Sequence, residues 1–222
     1  MDFVVSSYTP TLTAILDTGQ LTEVLPFRLL AVTQSSTPGA EPLPGTKKEL
    51  INIQRHVGDF PLVTLEKDRA TVEQVMKGIS ECKWVHLACH GTQDAAEPTR
   101  SGLLLQDGRL ELSELIKKAV PHAEFAFLSA CQTATGHNSL SEEAVHLAAG
   151  MLSVGYKGVI ATMWSIGDND APSIADVVYA DLFQEKRPEH TRAAHALHHA
   201  VQQLRKQHVS FLSWVPFIHL GI

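Results

Sequence analysis

The stretch Trp84-Val85-His86-Leu87-Ala88-Cys89-His90-Gly91 decides how this chain is read, together with its counterpart Phe125-Ala126-Phe127-Leu128-Ser129-Ala130-Cys131-Gln132-Thr133. Each opens as an apolar run short enough for a buried strand and leaves that run through a residue with nucleophilic or acid/base chemistry. If the two strands are parallel neighbours, both runs finish on the same edge of the sheet, and His90 and Cys131 meet although 41 positions separate them. That edge is where open α/β sheets bind ligands.

The segments around these two support a parallel sheet. Phe27 to Thr33 is nearly all apolar, as a strand covered by helices on both faces should be, and Pro61 to Leu65 reads as a second strand. Thr46 with Glu49 and Thr71 with Gln74 are capping-box signatures opening helices through about Val57 and about Ile79. Leu103 to Leu105 and Leu110 to Leu112 flank Asp107-Gly108, a hairpin turn dipeptide, and a short helix follows near Ser113 to Lys118. Past Cys131, the residues 132 to 138 are loop-like in composition, and Ser139 with Glu142 starts a third capped helix ending near Gly155. Gly158 to Trp164 is a fifth strand, and Asp168-Asn169-Asp170-Ala171-Pro172 is a helix start. Helices near 172–185 and 190–207 lead to an apolar run, Trp214 to Leu220, suited to a final edge strand. At the amino end, residues 3 to 8 are β-prone and Leu12, Ile15 and Leu16 recur at helical spacing, making 1–26 a cover segment. The expected architecture is a three-layer α/β sandwich with a largely parallel, six-stranded central sheet, as one domain over 1–222.

The totals exclude several classes. Eighteen Lys plus Arg against 24 Asp plus Glu give a net charge of −6, with no basic run longer than two, so nucleic acid is not an expected partner. No signal-like amino terminus and no uninterrupted apolar span is present in the sequence, so no membrane association is expected. Three cysteines without toxin-like spacing fit a reducing compartment, the cytoplasm. No Gly-x-Gly-x-x-Gly follows the first strand and no Walker loop occurs, so no cofactor is expected.

A cysteine at the exit of a buried strand is rigid and yet reachable. An imidazole beside it favours the thiolate and can later protonate a leaving amine, the arrangement of a cysteine hydrolase. Gly91, lacking a side chain, lets its N–H approach a substrate carbonyl and, with the N–H of Cys131, form an oxyanion hole. Taken singly, the alternatives are bland: a cysteine in an apolar strand is usually a small hydrophobe and His-Gly a turn. Cys89, one residue before His90, points to the opposite face by strand alternation and is assigned to packing. Metal binding by His86, Cys89 and His90 is disfavoured because positions 86 and 90 lie about 13 Å apart along a strand. His195, His198 and His199 share a helical face but lack the Glu of a zinc-protease helix, so a solvated polar face is preferred and no metal is expected. The Gly-x-Ser-x-Gly elbow of α/β-hydrolases is absent around Cys131.

The strings His86-Leu87-Ala88-Cys89-His90-Gly91 and Leu128-Ser129-Ala130-Cys131-Gln132-Thr133 resemble the two signature motifs of the CHAT domain, a caspase-like family often found with tetratricopeptide repeats. Leu43-Pro44-Gly45, Ser101 to Leu105, Gly158 to Ile166 and Trp214-Val215-Pro216-Phe217 are similar to family features in the same order, so the resemblance covers about residues 3 to 220. It implies a caspase-hemoglobinase fold with His90 as general acid/base, Cys131 as nucleophile and Gly91 as an oxyanion donor. It also implies a cysteine endopeptidase acting on a protein or peptide substrate. A different class, a signalling or scaffold module that docks partner proteins without hydrolysis, shares the same motifs. Caspases need a basic pocket for Asp, whereas separase-like relatives use an acidic one for basic residues, for which Asp168 is a candidate that helix capping explains equally well. No thirty-odd-residue helical repeat occurs in the chain, so it reads either as a stand-alone version or as part of something longer, and a tetratricopeptide-repeat or other regulatory domain in cis or in trans is the partner that the resemblance implies.

Overall fold

The computed structural model describes residues 4–9, 25–92, 94, 96–132, 142–164, 166–168, 170–184 and 187–222, with the backbone alone for 130–132 and 142–146. Among the described residues eight strands form one sheet: β1 (Leu29–Thr33), β2 (Leu62–Glu66), β3 (Trp84–Thr92), β4 (Gly102–Leu104), β5 (Arg109–Glu111), β6 (Phe125–Gln132), β7 (Gly158–Thr162) and β8 (Phe217–Gly221). Six of them follow the order β2-β1-β3-β6-β7-β8, and the β4–β5 hairpin hangs from β3. The first five along that path are mutually parallel and β8 is antiparallel to β7. The expected six-stranded, mostly parallel sheet is therefore present, with the Asp107-Gly108 hairpin as an antiparallel annex.

Helices α1 (Gly45–Val57), α2 (Val72–Glu81), α3 (Leu112–Ile116), α4 (Glu142–Val154), α5 (Ala171–Leu182), α6 (Ala193–Lys206) and α7 (Phe211–Trp214) connect the strands. Strand alternation sorts the core into two halves. Leu30, Val32, Val85, Leu87, Cys89 and Leu128 pack with Val75 and Ile79 of α2, Leu115 of α3 and Met151 of α4. On the other face, Leu29, Ala31, Trp84, Phe125, Phe127 and Ile160 meet Leu50 and Ile53 of α1, Ile174 and Tyr179 of α5, and Leu197 of α6. With apolar side chains buried on both faces, the central strands need the continuous hydrophobic runs that betrayed them in sequence.

Capping differs from expectation at one important place. Thr71 accepts the Gln74 N–H at 3.3 Å and caps α2, as its pattern predicts. Thr46 and Glu49 form no such box: the Thr46 hydroxyl donates to the Leu43 carbonyl at 2.8 Å, and Glu49, 2 % exposed, turns into the core. The helix pattern near Leu12 and the Ser139 cap lie outside the described residues. Of the amino-terminal cover segment, Tyr8 bridges in parallel to Leu220 and lies against the outer edge of β8. Among the described residues, no helix is long and apolar enough to cross a membrane.

Candidate active site

Strands β3 and β6 run parallel and in register from Trp84 opposite Phe125 to Gly91 opposite Gln132. His90 is the register partner of Cys131, so their α-carbons are neighbours across one strand spacing, about 4.8 Å. Both sit at the carboxyl ends of central strands, the edge that parallel sheets use for ligands. The end of β3 is clamped from both sides, by β6 on one and on the other by β1 as far as Ala88 and β4 from His90.

The imidazole of His90 is 2 % exposed, and its Nε2 lies 2.7 Å from the carbonyl oxygen of Glu41. A carbonyl oxygen can only accept, so Nε2 carries the proton, and in the neutral ring Nδ1 presents its lone pair. Nδ1 has no hydrogen-bond partner among the described residues. The ring is thus oriented by the backbone on one side, with Nδ1 unengaged on the other. This is the relation of a base to its orienting group.

Gly91 is flanked on both sides, with Leu103 of β4 and Gln132 of β6 as register partners. Asp168 lies beyond the carboxyl end of β7, on the same sheet edge, and is partly exposed. Its Oδ2 accepts the N–H of Gly45 at 2.6 Å. It therefore caps α1, whereas the start of its own helix has Asp170 at the cap position with no side-chain bond and Pro172 in the first turn. Gly45 is required there: a Cβ on it would run into the Asp168 carbonyl oxygen.

Beneath the His90 row, three polar groups converge in the core. His86 Nε2 is 3.0 Å from Glu49 Oε2, the two side chains being 0 % and 2 % exposed, and the Ser129 hydroxyl donates to Glu49 Oε1 at 3.1 Å. His86 Nε2 thus faces the carboxylate of Glu49. Glu41, Glu49 and Ser129 escape sequence reasoning. Glu41 acts through its backbone, and Glu49 is disguised as the third position of a capping box. On α6, His199 Nδ1 meets Asp181 at 2.9 Å and His198 Nε2 meets Gln202 at 2.8 Å. Among the described residues no group of three or more His, Cys, Asp or Glu is arranged to hold a metal. Cys89 lies in the opposite core half from Trp84 and Phe127, and burial, reinforced by the charge of Glu49, pushes its thiol up to about 12.

The family model described as the CHAT domain matches residues 2–222. No match is found among curated proteins. Among solved structures, the complex of Porphyromonas gingivalis RgpB pro- and mature domains is similar, with a TM-score of 0.54 and 11 % identity, covering 87 % of this chain and 47 % of that one. The Arg-specific cysteine proteinase gingipain R gives a TM-score of 0.56 at 12 % identity, covering 87 % of this chain and 46 % of that one. The chain spans about half the length of the solved structures it matches. At such identities the likeness is one of fold, a caspase-like α/β sheet.

Proposed function

This chain belongs to the CHAT domain family, and on that premise we propose that it is a cysteine endopeptidase whose nucleophile is Cys131 and whose general acid/base is His90. The observation that carries the reading is the register of His90 with Cys131 at the carboxyl edge, with the imidazole held by the Glu41 carbonyl through Nε2. In this reading Nδ1 takes the thiol proton of Cys131, and the thiolate adds to the scissile carbonyl. The amides of Gly91 and Cys131 receive the oxyanion, each donor being worth about a hundredfold in rate. The tetrahedral species collapses as the proton on Nδ1 passes to the leaving amine. Water, deprotonated by the same nitrogen, then frees the acyl group and restores the thiol.

Asp168 is assigned to a pocket preferring a basic residue before the cut. Its support is its place on the same edge and its partial exposure, although one carboxylate oxygen serves the Gly45 amide. The substrate is a protein or peptide, and a tetratricopeptide-repeat or other regulatory domain, in cis or in trans, is the expected partner. The buried free thiols of Cys82 and Cys89 suit a reducing cytoplasm.

Cleavage of a mixed peptide library by the wild type, Cys131→Ala, His90→Ala and Asp168→Asn tests the reading. We expect both dyad changes to lower hydrolysis by roughly a thousandfold or more. Asp168→Asn should relax a preference for Arg or Lys. Hydrolysis surviving Cys131→Ala would refute the mechanism, and a wild type that binds partner proteins without cleaving any peptide would favour the scaffold reading.

A further inference from the structure

The buried polar cluster under the dyad has no part in the chemistry just described, and its position is specific. Glu49 stands on α1, His86 on β3 four residues before His90, and Ser129 on β6 two residues before Cys131. One carboxylate thus ties the helix to both strands that carry the dyad. Glu49 Oε2 and both ring nitrogens of His86 have no hydrogen-bond partner among the described residues, so the 3.0 Å approach of Nε2 to Oε2 is a charge contact without hydrogen-bond geometry. The surroundings are apolar and aromatic: the His86 ring lies 4.9 Å from Phe127 and 5.7 Å from Tyr179. A lone carboxylate or imidazole is costly in such a place, so each group depends on the other. A merely cohesive core would be better served by apolar side chains of the same size.

Helix α1 also fixes the approach of the loop before it. Thr46 holds the Leu43 carbonyl, Asp168 holds the Gly45 amide, and two residues before Leu43 the Glu41 carbonyl orients His90. The depth at which α1 sits over β3 and β6 therefore sets where that carbonyl meets the imidazole. We propose that Glu49, with His86 and Ser129, is the positioning group of the site: it fixes α1 against the ends of β3 and β6 so that the Glu41 carbonyl, His90 and Cys131 are held in one arrangement. The inference rests on the dyad reading above. Glu49 touches no reacting atom and acts through the placement of His90.

The test is the pH profile of Cys131 alkylation by iodoacetamide in the wild type, Glu49→Gln, Glu49→Leu and Ser129→Ala, with circular dichroism and melting recorded for each. An ordinary cysteine titrates near 8.5, and a dyad cysteine about a unit or more lower. We expect the wild type at the lower value. Glu49→Leu should move the inflection up by about one unit, a roughly tenfold slower reaction near neutral pH. Glu49→Gln, whose amide oxygen can still accept the Ser129 hydroxyl, should show a smaller rise. Ser129→Ala, which removes one hydroxyl only, reads the same linkage if the leucine variant does not fold. A low wild-type inflection left unmoved in the folded variants overturns the positioning role and leaves the dyad standing. A wild-type Cys131 that titrates like a free thiol overturns both.

Discussion

Three cysteines on one chain give the residue scale its sharpest contrast. Cys82 and Cys89 are both fully buried, and burial is the largest cause raising each thiol to about 12. Near neutral pH their thiolate fractions are below about one in ten thousand, and the thiolate is the reactive form. Iodoacetamide should therefore modify one cysteine per native chain, at Cys131, and three in denaturant, as counted by intact mass. Native labelling at Cys82 or Cys89 would contradict their burial. Strand alternation alone separated Cys89 from His90, because adjacent strand residues point to opposite faces whatever surrounds them. The same reasoning had no purchase on Glu49. Thr-x-x-Glu before an apolar stripe is the pattern of a cap, and only the packing of α1 over β3 shows that this carboxylate turns inward to His86.

At the scale of elements, the entry of α1 depends on Gly45. The oxygen that a Cβ would meet is backbone, the Asp168 carbonyl, and cannot rotate away as a side chain would. Gly45→Ala should cost about 1–3 kcal/mol and lower the melting temperature by roughly 5 °C, as calorimetry would report. Peptide hydrolysis should fall as well, because the loop carrying the Glu41 carbonyl leads directly into that turn. The β8 edge carries a different sensitivity. The Ser7 hydroxyl donates to the Gly221 carbonyl at 2.8 Å, so at its 2.8 Å contact with His219 Nδ1 it is the ring that donates. Nε2 is then left as a buried lone pair without a partner among the described residues. Burial accordingly lowers His219 to about 4. Between the ordinary value of about 6.5 and that figure the unfolded chain binds more protons than the folded one, so stability rises with pH across the window. The contribution is complete above about 6.5 and is lost as pH falls through about 4, on the order of 3 kcal/mol. Urea melts across this range should show a shallower acid decline for His219→Asn than for the wild type.

Across the whole molecule, what could be read in advance divides along a physical line. Parallel strands buried on both faces announce themselves as apolar runs, and their exits carry the reactive residues, so the pairing of Trp84–Thr92 with Phe125–Gln132 was legible. The placement of β1 between β2 and β3, and of the β4–β5 hairpin against the end of β3, depends on long-range packing that no local pattern encodes. That placement has a measurable consequence. β3 is paired along both sides, by β1 and then β4 on one and β6 on the other, and its side chains are buried on both faces. Among the described residues, β2 has β1 alone as a ladder partner, and the outer side of β8 meets the bridge at Tyr8. Amides that open only with global unfolding should lie at 85–89 and 126–128, while those of 62–66 and 217–221 open by local fraying of the edges. Hydrogen exchange followed by mass spectrometry should find the first set slower by orders of magnitude. The dyad would then stand on the most stable part of the sheet, as a preorganised site requires. Exchange of β3 as fast as that of β2 would remove the rigid frame on which Glu49 is argued to act.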